Sequence, residues 1–277
     1  MSDDGTATDP CALVEPAVAL AREAGERIMA IYEGGFSVAE KADRTPLTEA
    51  DMAAHRTLVE GLQRLTPGLP VLSEESAEIP FGERARWRTY WLVDPLDGTR
   101  EFIKRNGEFT VNIALVRDHE PVLGVVHAPA LGLTYWACRG GGAWKQAGGE
   151  APRRIHVRRA RPGRAVVAGS RSHSDERLAA YCERLGPHEL VSMGSALKSC
   201  LVAEGRADVY PRFGPTSEWD TAAAQCIVEE AGGRVVDAAG RPLRYNTKPS
   251  LLNPDFLVYG DPAGDWLRPV RDAVLER

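Results

Sequence analysis

The chain of 277 residues has 43% hydrophobic and 26% charged residues, with 34 basic and 39 acidic side chains giving a net charge of −5. That length suits about two domains or lobes around a large core, and 27 glycines with 19 prolines are too few for a low-complexity chain. The mildly acidic balance argues against a protein that coats nucleic acid, no run of about 18 apolar residues is present to cross a membrane, and the acidic start Met1-Ser2-Asp3-Asp4 lacks the basic region of a signal peptide. Cys11, Cys138, Cys182, Cys200 and Cys226 are scattered, odd in number and form no CxxC pair. Such usage favours a reducing cytoplasm and argues against disulfides and a zinc ribbon.

Apolar residues at helical spacing predict a first helix over 13–31, stopped by Gly34-Gly35. A second helix is predicted from Thr48 to about Leu65, with Thr48 and Asp51 spaced as a capping box. Short runs rich in β-branched and aromatic residues then predict strands at 70–72, 90–93, 109–116, 122–127 and 133–137. The segment 139–149 reads as turns, and 153–164, with six arginines and no acid, as a solvated link between lobes. Beyond it, strands at 165–168, 189–191 and 208–210 alternate with helices at 175–185, 195–204 and 220–231. Alternation of that kind indicates α/β organisation. The expected domains are therefore an α+β lobe over 11–152 and an α/β lobe over 153–277, working as one unit.

The strongest local signal is Asp94-Pro95-Leu96-Asp97-Gly98-Thr99, directly after the apolar run Trp91-Leu92-Val93. Pro and Gly turn the chain at the strand end. Asp94, Asp97 and the Leu96 carbonyl can then offer oxygens to one hard divalent cation. Other acids are bland when taken singly. Glu74-Glu75 reads as a solvated loop, Asp51 as a helix first-turn charge and Asp220 as an N-cap. Spacing alone does not bring them together.

These residues, with Trp219-Asp220-Thr221-Ala222-Ala223 and Ala231-Gly232-Gly233, resemble the inositol monophosphatase superfamily, and more closely its bisphosphate nucleotidase branch. The resemblance runs from about Leu13 to Tyr259. It implies a layered αβαβα sandwich and a lithium-sensitive, Mg²⁺-dependent phosphomonoesterase with two or three ions. It implies metal binding by Glu74, Asp94, the Leu96 carbonyl, Asp97 and Asp220, and a water-activating pair in Asp51 and Thr99. Glu75 stands beside these. Glu74, Leu96, Asp97, Gly98, Thr99 and Asp220 would also meet the substrate phosphate, Gly98 and Thr99 through peptide N–H groups at a helix start. On the lobe over 153–277, His173, Ser195, Lys198 and Arg212 would contact an adenosine and its second phosphate.

The implied reaction converts 3′-phosphoadenosine 5′-phosphate, or its sulfonated precursor, to AMP or adenylyl sulfate and phosphate, as in sulfate assimilation. Inositol monophosphatase or fructose-1,6-bisphosphatase activity is the alternative. A phosphate-ligand sensor without catalysis is the alternative of another class, against which the complete carboxylate set speaks. The expected partner is a small phosphate ester and no nucleic acid. Lys104, Arg105 and the arginine-rich segment are candidates for steering it, and Lys198 and His173 could equally be a solvated helix lysine and a loop cap. A cytoplasmic enzyme is expected. A homodimer and peripheral membrane association stay open.

Overall fold

The computed structural model describes residues 9–34, 38–40, 46–160, 163–170 and 176–275. In chain order the elements are α1 (Val14–Gly34), β1 (Val38–Glu40), β2 (Pro46–Thr48), α2 (Glu49–Leu65), β3 (Val71–Ser73), α3 (Phe81–Arg84), β4 (Thr89–Asp97), α4 (Thr99–Ile103), β5 (Thr110–Arg117), β6 (Glu120–Ala128), β7 (Leu133–Cys138), β8 (Gly142–Ala147) and β9 (Arg153–Ile155). There follow β10 (Ala165–Ser170), α5 (Glu176–Leu185), β11 (His188–Met193), α6 (Leu197–Ala203), β12 (Val209–Arg212), α7 (Glu218–Glu230), β13 (Arg234–Asp237), β14 (Phe256–Tyr259) and α8 (Arg268–Leu275).

Strands β3 to β9 form a seven-stranded sheet in sequence order, antiparallel except for β3 beside β4. A second sheet has the order β11-β10-β12-β14-β13. Its first two pairings are parallel and its last two antiparallel. The β1–β2 pair stands apart as a two-stranded ribbon.

Strand periodicity explains the layers. On β4, Trp91 and Val93 face α1 and α2, while Tyr90 and Leu92 face α6 and α7. Both faces of the large sheet are covered, so its central strands are apolar nearly throughout. Ala165, Val167 and Val209 of the smaller sheet pack towards Tyr181 of α5 and Trp266 before α8, and Val166 and Tyr210 towards α6 and α7. The result is the αβαβα sandwich. Each fully buried large side chain, such as Trp91, contributes roughly 1.5–3 kcal/mol relative to exposure. The central layer is tight. A Cβ on Gly124 of β6 would lie 2.1 Å from the Ala223 carbonyl oxygen of α7, so the strand meets the helix backbone where only glycine fits.

Several expectations need correction. Cys11 and Cys138 form a disulfide across 127 residues, a pairing made by the fold and invisible to local spacing; Cys182, Cys200 and Cys226 are free and buried. The turn-rich 139–149 contains β8, because its short alternating run finds β7 as partner. The arginine-rich link is not simply solvated: 153–155 is β9, and Arg158 grips buried Asp208 with two hydrogen bonds of 2.7 and 2.6 Å. Strands β13 and β14 and helix α8 were not foreseen, and β14 runs antiparallel within an otherwise α/β pattern. Among the described residues, no helix is long and apolar enough to cross a membrane.

Candidate active site

Strand β4 delivers the first two carboxylates. In a regular strand, residues three apart face opposite sides. Here Asp94 pairs with Asn112 and Asp97 with Thr110, so three steps on β4 match two on β5. This bulge carries one extra residue and turns Asp97 to the side of Asp94. The Asp94 carboxylate is held by the Leu96 amide at 3.0 Å. Asp97 accepts from the Ala196 amide at 2.7 Å and from the Asn112 side chain at 3.3 Å. The first of these bonds ties the end of β4 to the start of α6. Strand β3 pairs in parallel with β4, Ser73 beside Val93, and so sets Glu74 next to Asp94, whose pKa its charge helps to raise.

Two capping boxes place the remaining acids, and both use Asp where Glu is usual. On α2, Asp51 Oδ2 accepts from the Thr48 amide at 2.7 Å and the Thr48 hydroxyl at 2.5 Å. Its Oδ1 accepts from the Thr99 hydroxyl at 3.2 Å. On α7, Asp220 Oδ2 accepts from the Ser217 amide at 2.8 Å. Asp220 is thus the third residue of its helix, and Ser217, not Asp220, is the N-cap. Each box spends one carboxylate oxygen on the backbone and fixes where the other points.

Oxygens of Asp94, Asp97 and Asp220 all lie within 4.8 Å of one another. Burial pushes all three carboxyls above the usual range, and their mutual repulsion, with the Glu74 charge, pushes in the same direction. Lys198 is a cationic counterweight to Asp97 and, less strongly, to Asp220. An all-oxygen donor set with excess negative charge fits a hard divalent cation, and the Leu96 carbonyl stands beside it, 3.4 Å from the Thr99 hydroxyl oxygen. Gly98 has φ of 92°, and a Cβ there would crowd the Glu108 carbonyl at 3.3 Å. Glycine is what lets the chain turn from β4 into α4.

The carboxylates open onto a cleft of about 700 Å³ whose walls come from both sheets. Glu74, Asp94, Leu96, Asp97, Gly98 and Thr99 line one side. Ser195, Lys198, Arg212 and Asp220 line the other. Asp51 is 2% exposed and lies behind Thr99, outside the cleft wall. Glu75 does not line the cleft. His173 lies outside the described residues.

Lys198 is buried rather than a solvated helix lysine. Its Nζ donates to the Ser195 carbonyl at 2.7 Å and stands 5.4 Å from the Tyr210 ring centroid. Burial lowers its pKa to about 8 against the opposing pull of Asp97. Ser195 has φ of 45°, and its buried hydroxyl has no hydrogen-bond partner among the described residues. Arg105 is tied to the Tyr32 carbonyl at 2.8 Å and to its ring, away from the cleft. Tyr210, Phe213 and Trp219 also line the cleft; of these the sequence pattern marks only Trp219, as part of the Trp219-Asp220 block, and gives it no role. Phe213 and Trp219 adjoin the flagged Arg212 and Asp220, and that adjacency was the available signal.

Comparison with known proteins agrees with this geometry. The model of the inositol monophosphatase family matches residues 9–260. The 3′(2′),5′-bisphosphate nucleotidase CysQ of Salmonella typhimurium is 53% identical over 249 residues, covering 89% of this chain and 99% of that protein. The CysQ nucleotidase of Escherichia coli K12 is 52% identical over 242 residues, 86% of this chain and 96% of its own. Among solved structures, CysQ from Bacteroides thetaiotaomicron superposes with a TM-score of 0.78 at 46% identity, covering 89% of this chain and 96% of that one. The Thermotoga maritima IMPase gives a TM-score of 0.78 at 28% identity, covering 95% and 98%. By sequence and by fold, the chain belongs to the inositol monophosphatase family.

Proposed function

We propose that the protein is a Mg²⁺-dependent 3′(2′),5′-bisphosphate nucleotidase, a phosphoric monoester hydrolase acting on 3′-phosphoadenosine 5′-phosphate. The observation that carries the proposal is one cleft that brings the carboxylates Glu74, Asp94, Asp97 and Asp220 together with the cations Lys198 and Arg212. Resemblance to curated CysQ nucleotidases over nearly their whole length supports the nucleotide over other phosphate esters.

Glu74, Asp94, the Leu96 carbonyl, Asp97 and Asp220 would hold the Mg²⁺. When bound, such ions neutralise the phosphate dianion and acidify a coordinated water. Thr99 donates its proton to Asp51, which leaves an oxygen lone pair free to accept from the attacking water. Asp51, fixed by Thr48, is then placed to take up that water's proton through the hydroxyl. Gly98 leaves room for the phosphate at the start of α4. Lys198 and Arg212 would neutralise the second phosphate, with Ser195 between them as a hydrogen-bonding group.

Mg²⁺-dependent phosphate release from 3′-phosphoadenosine 5′-phosphate, inositol 1-phosphate and fructose 1,6-bisphosphate tests the reading. The nucleotide is expected to be preferred. A preference for either sugar phosphate would overturn it, and no release from any would favour a sensor. Lys198→Ala is expected to raise KM for the nucleotide about tenfold or more while changing that for inositol 1-phosphate far less. Equal changes would reject the role of Lys198 in specificity.

A further inference from the structure

The metal-binding carboxylates come from two separate parts of the chain: Asp94 and Asp97 from β4, Asp220 from α7. Something must hold the start of α7 at a fixed distance from β4. A buried polar junction joins the two. Arg84, at the end of α3, is 2% exposed. It donates to the Asn246 side-chain oxygen at 2.5 Å and to the Pro249 carbonyl. In return its own carbonyl accepts from the Asn246 side-chain nitrogen at 2.5 Å. Asn246 then reaches α7: its amide donates to Glu218 Oε2 at 2.7 Å. The same strand of loop pins the rest of the first turn. The Glu218 amide donates to the Leu251 carbonyl at 2.8 Å, and Asn253 Nδ2 donates to the Ser217 carbonyl at 2.7 Å. A chain of hydrogen bonds thus runs from Arg84 through Asn246 to Glu218, two residues before Asp220.

Three polar atoms of the junction have no hydrogen-bond partner among the described residues: Arg84 Nε, Tyr90 Oη and Glu218 Oε1. Their residues are 2%, 0% and 1% exposed. Buried polar atoms are almost always satisfied, by protein or by ordered water. Arg84 and Glu218 both bond Asn246, and the Tyr90 phenol feels the charges of both. The three atoms are chemically complementary to one water. Arg84 Nε–H can only donate to it, Glu218 Oε1 accepts from it as a carboxylate, and the tyrosine hydroxyl can do either. Three partners is the usual number for an internal water.

We propose that Arg84, Tyr90, Glu218 and Asn246 form a positioning junction, closed by one internal water, that sets Asp220 against Asp94 and Asp97. Tyr90 lies on β4, four residues before Asp94, so the water ties the strand that carries two of the carboxylates to the helix that carries the third. The inference rests on the reading of Asp220 as a metal ligand.

Two measurements test it. A crystal structure at about 1.5 Å or better is expected to show a water within hydrogen-bonding distance of all three atoms; a dry junction, or direct bonds among them, would overturn the proposal. The second measurement is calorimetric titration of Mg²⁺ into wild type, Tyr90→Phe, Arg84→Lys and Tyr181→Phe without substrate. Tyr181 is the control, a buried tyrosine bonded to the Trp266 carbonyl at 2.8 Å in the outer layer. Tyr90→Phe is expected to weaken Mg²⁺ binding about three- to tenfold. Tyr181→Phe is expected to lower Tm and leave Mg²⁺ affinity unchanged. If Arg84→Lys does not fold, Tyr90→Phe still decides the matter. Unchanged affinity in Tyr90→Phe, or an equal loss in Tyr181→Phe, would reject the junction. Absence of Mg²⁺ binding in wild type would instead reject the metal reading.

Discussion

Replacing Asp51 with Asn separates its structural work from its proposed chemical work. The substitution keeps shape and one carbonyl oxygen. That oxygen satisfies the Thr48 amide and hydroxyl, which now approach Oδ2 at 2.7 and 2.5 Å. The amide nitrogen is left where Oδ1 stands, 3.2 Å from the Thr99 hydroxyl. Carboxylate accepts there, whereas amide donates, so Thr99 must accept from residue 51 and can no longer pass its own proton to it when it receives one from the water. The structural cost is a weaker capping bond and a lost negative charge in the first turn of α2, about 1 kcal/mol. For a chain of this size that is a fall in Tm of roughly 2–4 °C. Loss of a general base costs about 10²–10⁴ in rate, equivalent to about 3–5 kcal/mol. The two effects differ enough to be read apart. Scanning calorimetry is expected to show a folded protein with slightly reduced Tm, and Mg²⁺-dependent phosphate release a kcat lowered at least a hundredfold. A kcat within about threefold of wild type, with only the Tm loss, would refute the assignment and leave Asp51 as a helix cap.

Further predictions concern the metal cluster and the core. Without metal, burial raises the pKa of Asp97 to about 6 and of Asp220 to about 8, above their unfolded values near 4. Between those limits the folded chain binds more protons than the unfolded one, so the stability of metal-free protein falls as pH rises from about 4 to 8. Added Mg²⁺ is therefore expected to raise Tm more at pH 8 than at pH 6; scanning fluorimetry showing an equal rise at both would contradict a cluster of strained carboxylates. Gly124→Ala places a Cβ against the Ala223 backbone, which has no flexible end to move. Chemical denaturation is expected to show a loss of at least 2 kcal/mol, and a loss under about 0.5 kcal/mol would mean that β6 and α7 are not so closely packed.

How far the sequence discloses this molecule depends on how local each cause is. The α1 and α2 helices and strands β4 to β7 are carried by periodicity within their own residues and stand close to where it puts them, except that β4 does not turn after Val93 but runs on through a bulge to Asp97, paired with β5. Strand β8 escaped because its glycines and short alternation resemble turns until β7 supplies a partner. The Cys11–Cys138 pair escaped for the same reason at longer range. At the site, Asp94 and Asp97 were visible as a motif, whereas Asp51 and Asp220 looked like ordinary helix-start residues. They do cap helices, and a capping Asp leaves one oxygen free for other work. For Lys198 the solvated and substrate-facing readings stayed equal, because one helix pattern does not reveal that a second sheet covers it. Resemblance to a family joined the scattered acids, and the folded geometry supplies the reason they meet.

The bulge in β4 has a consequence for which changes the site can survive. Asp94 and Asp97 face the same way only because three residues on one strand span two on the next. Side chains between and around them can be exchanged without moving that count. Removing or adding one residue between them would turn Asp97 through half a revolution, into the packed sheet and away from Asp220. The spacing works as a ruler: the motif is constrained in length more strictly than in composition, and drift by insertion or deletion is closed to it even where substitution is open.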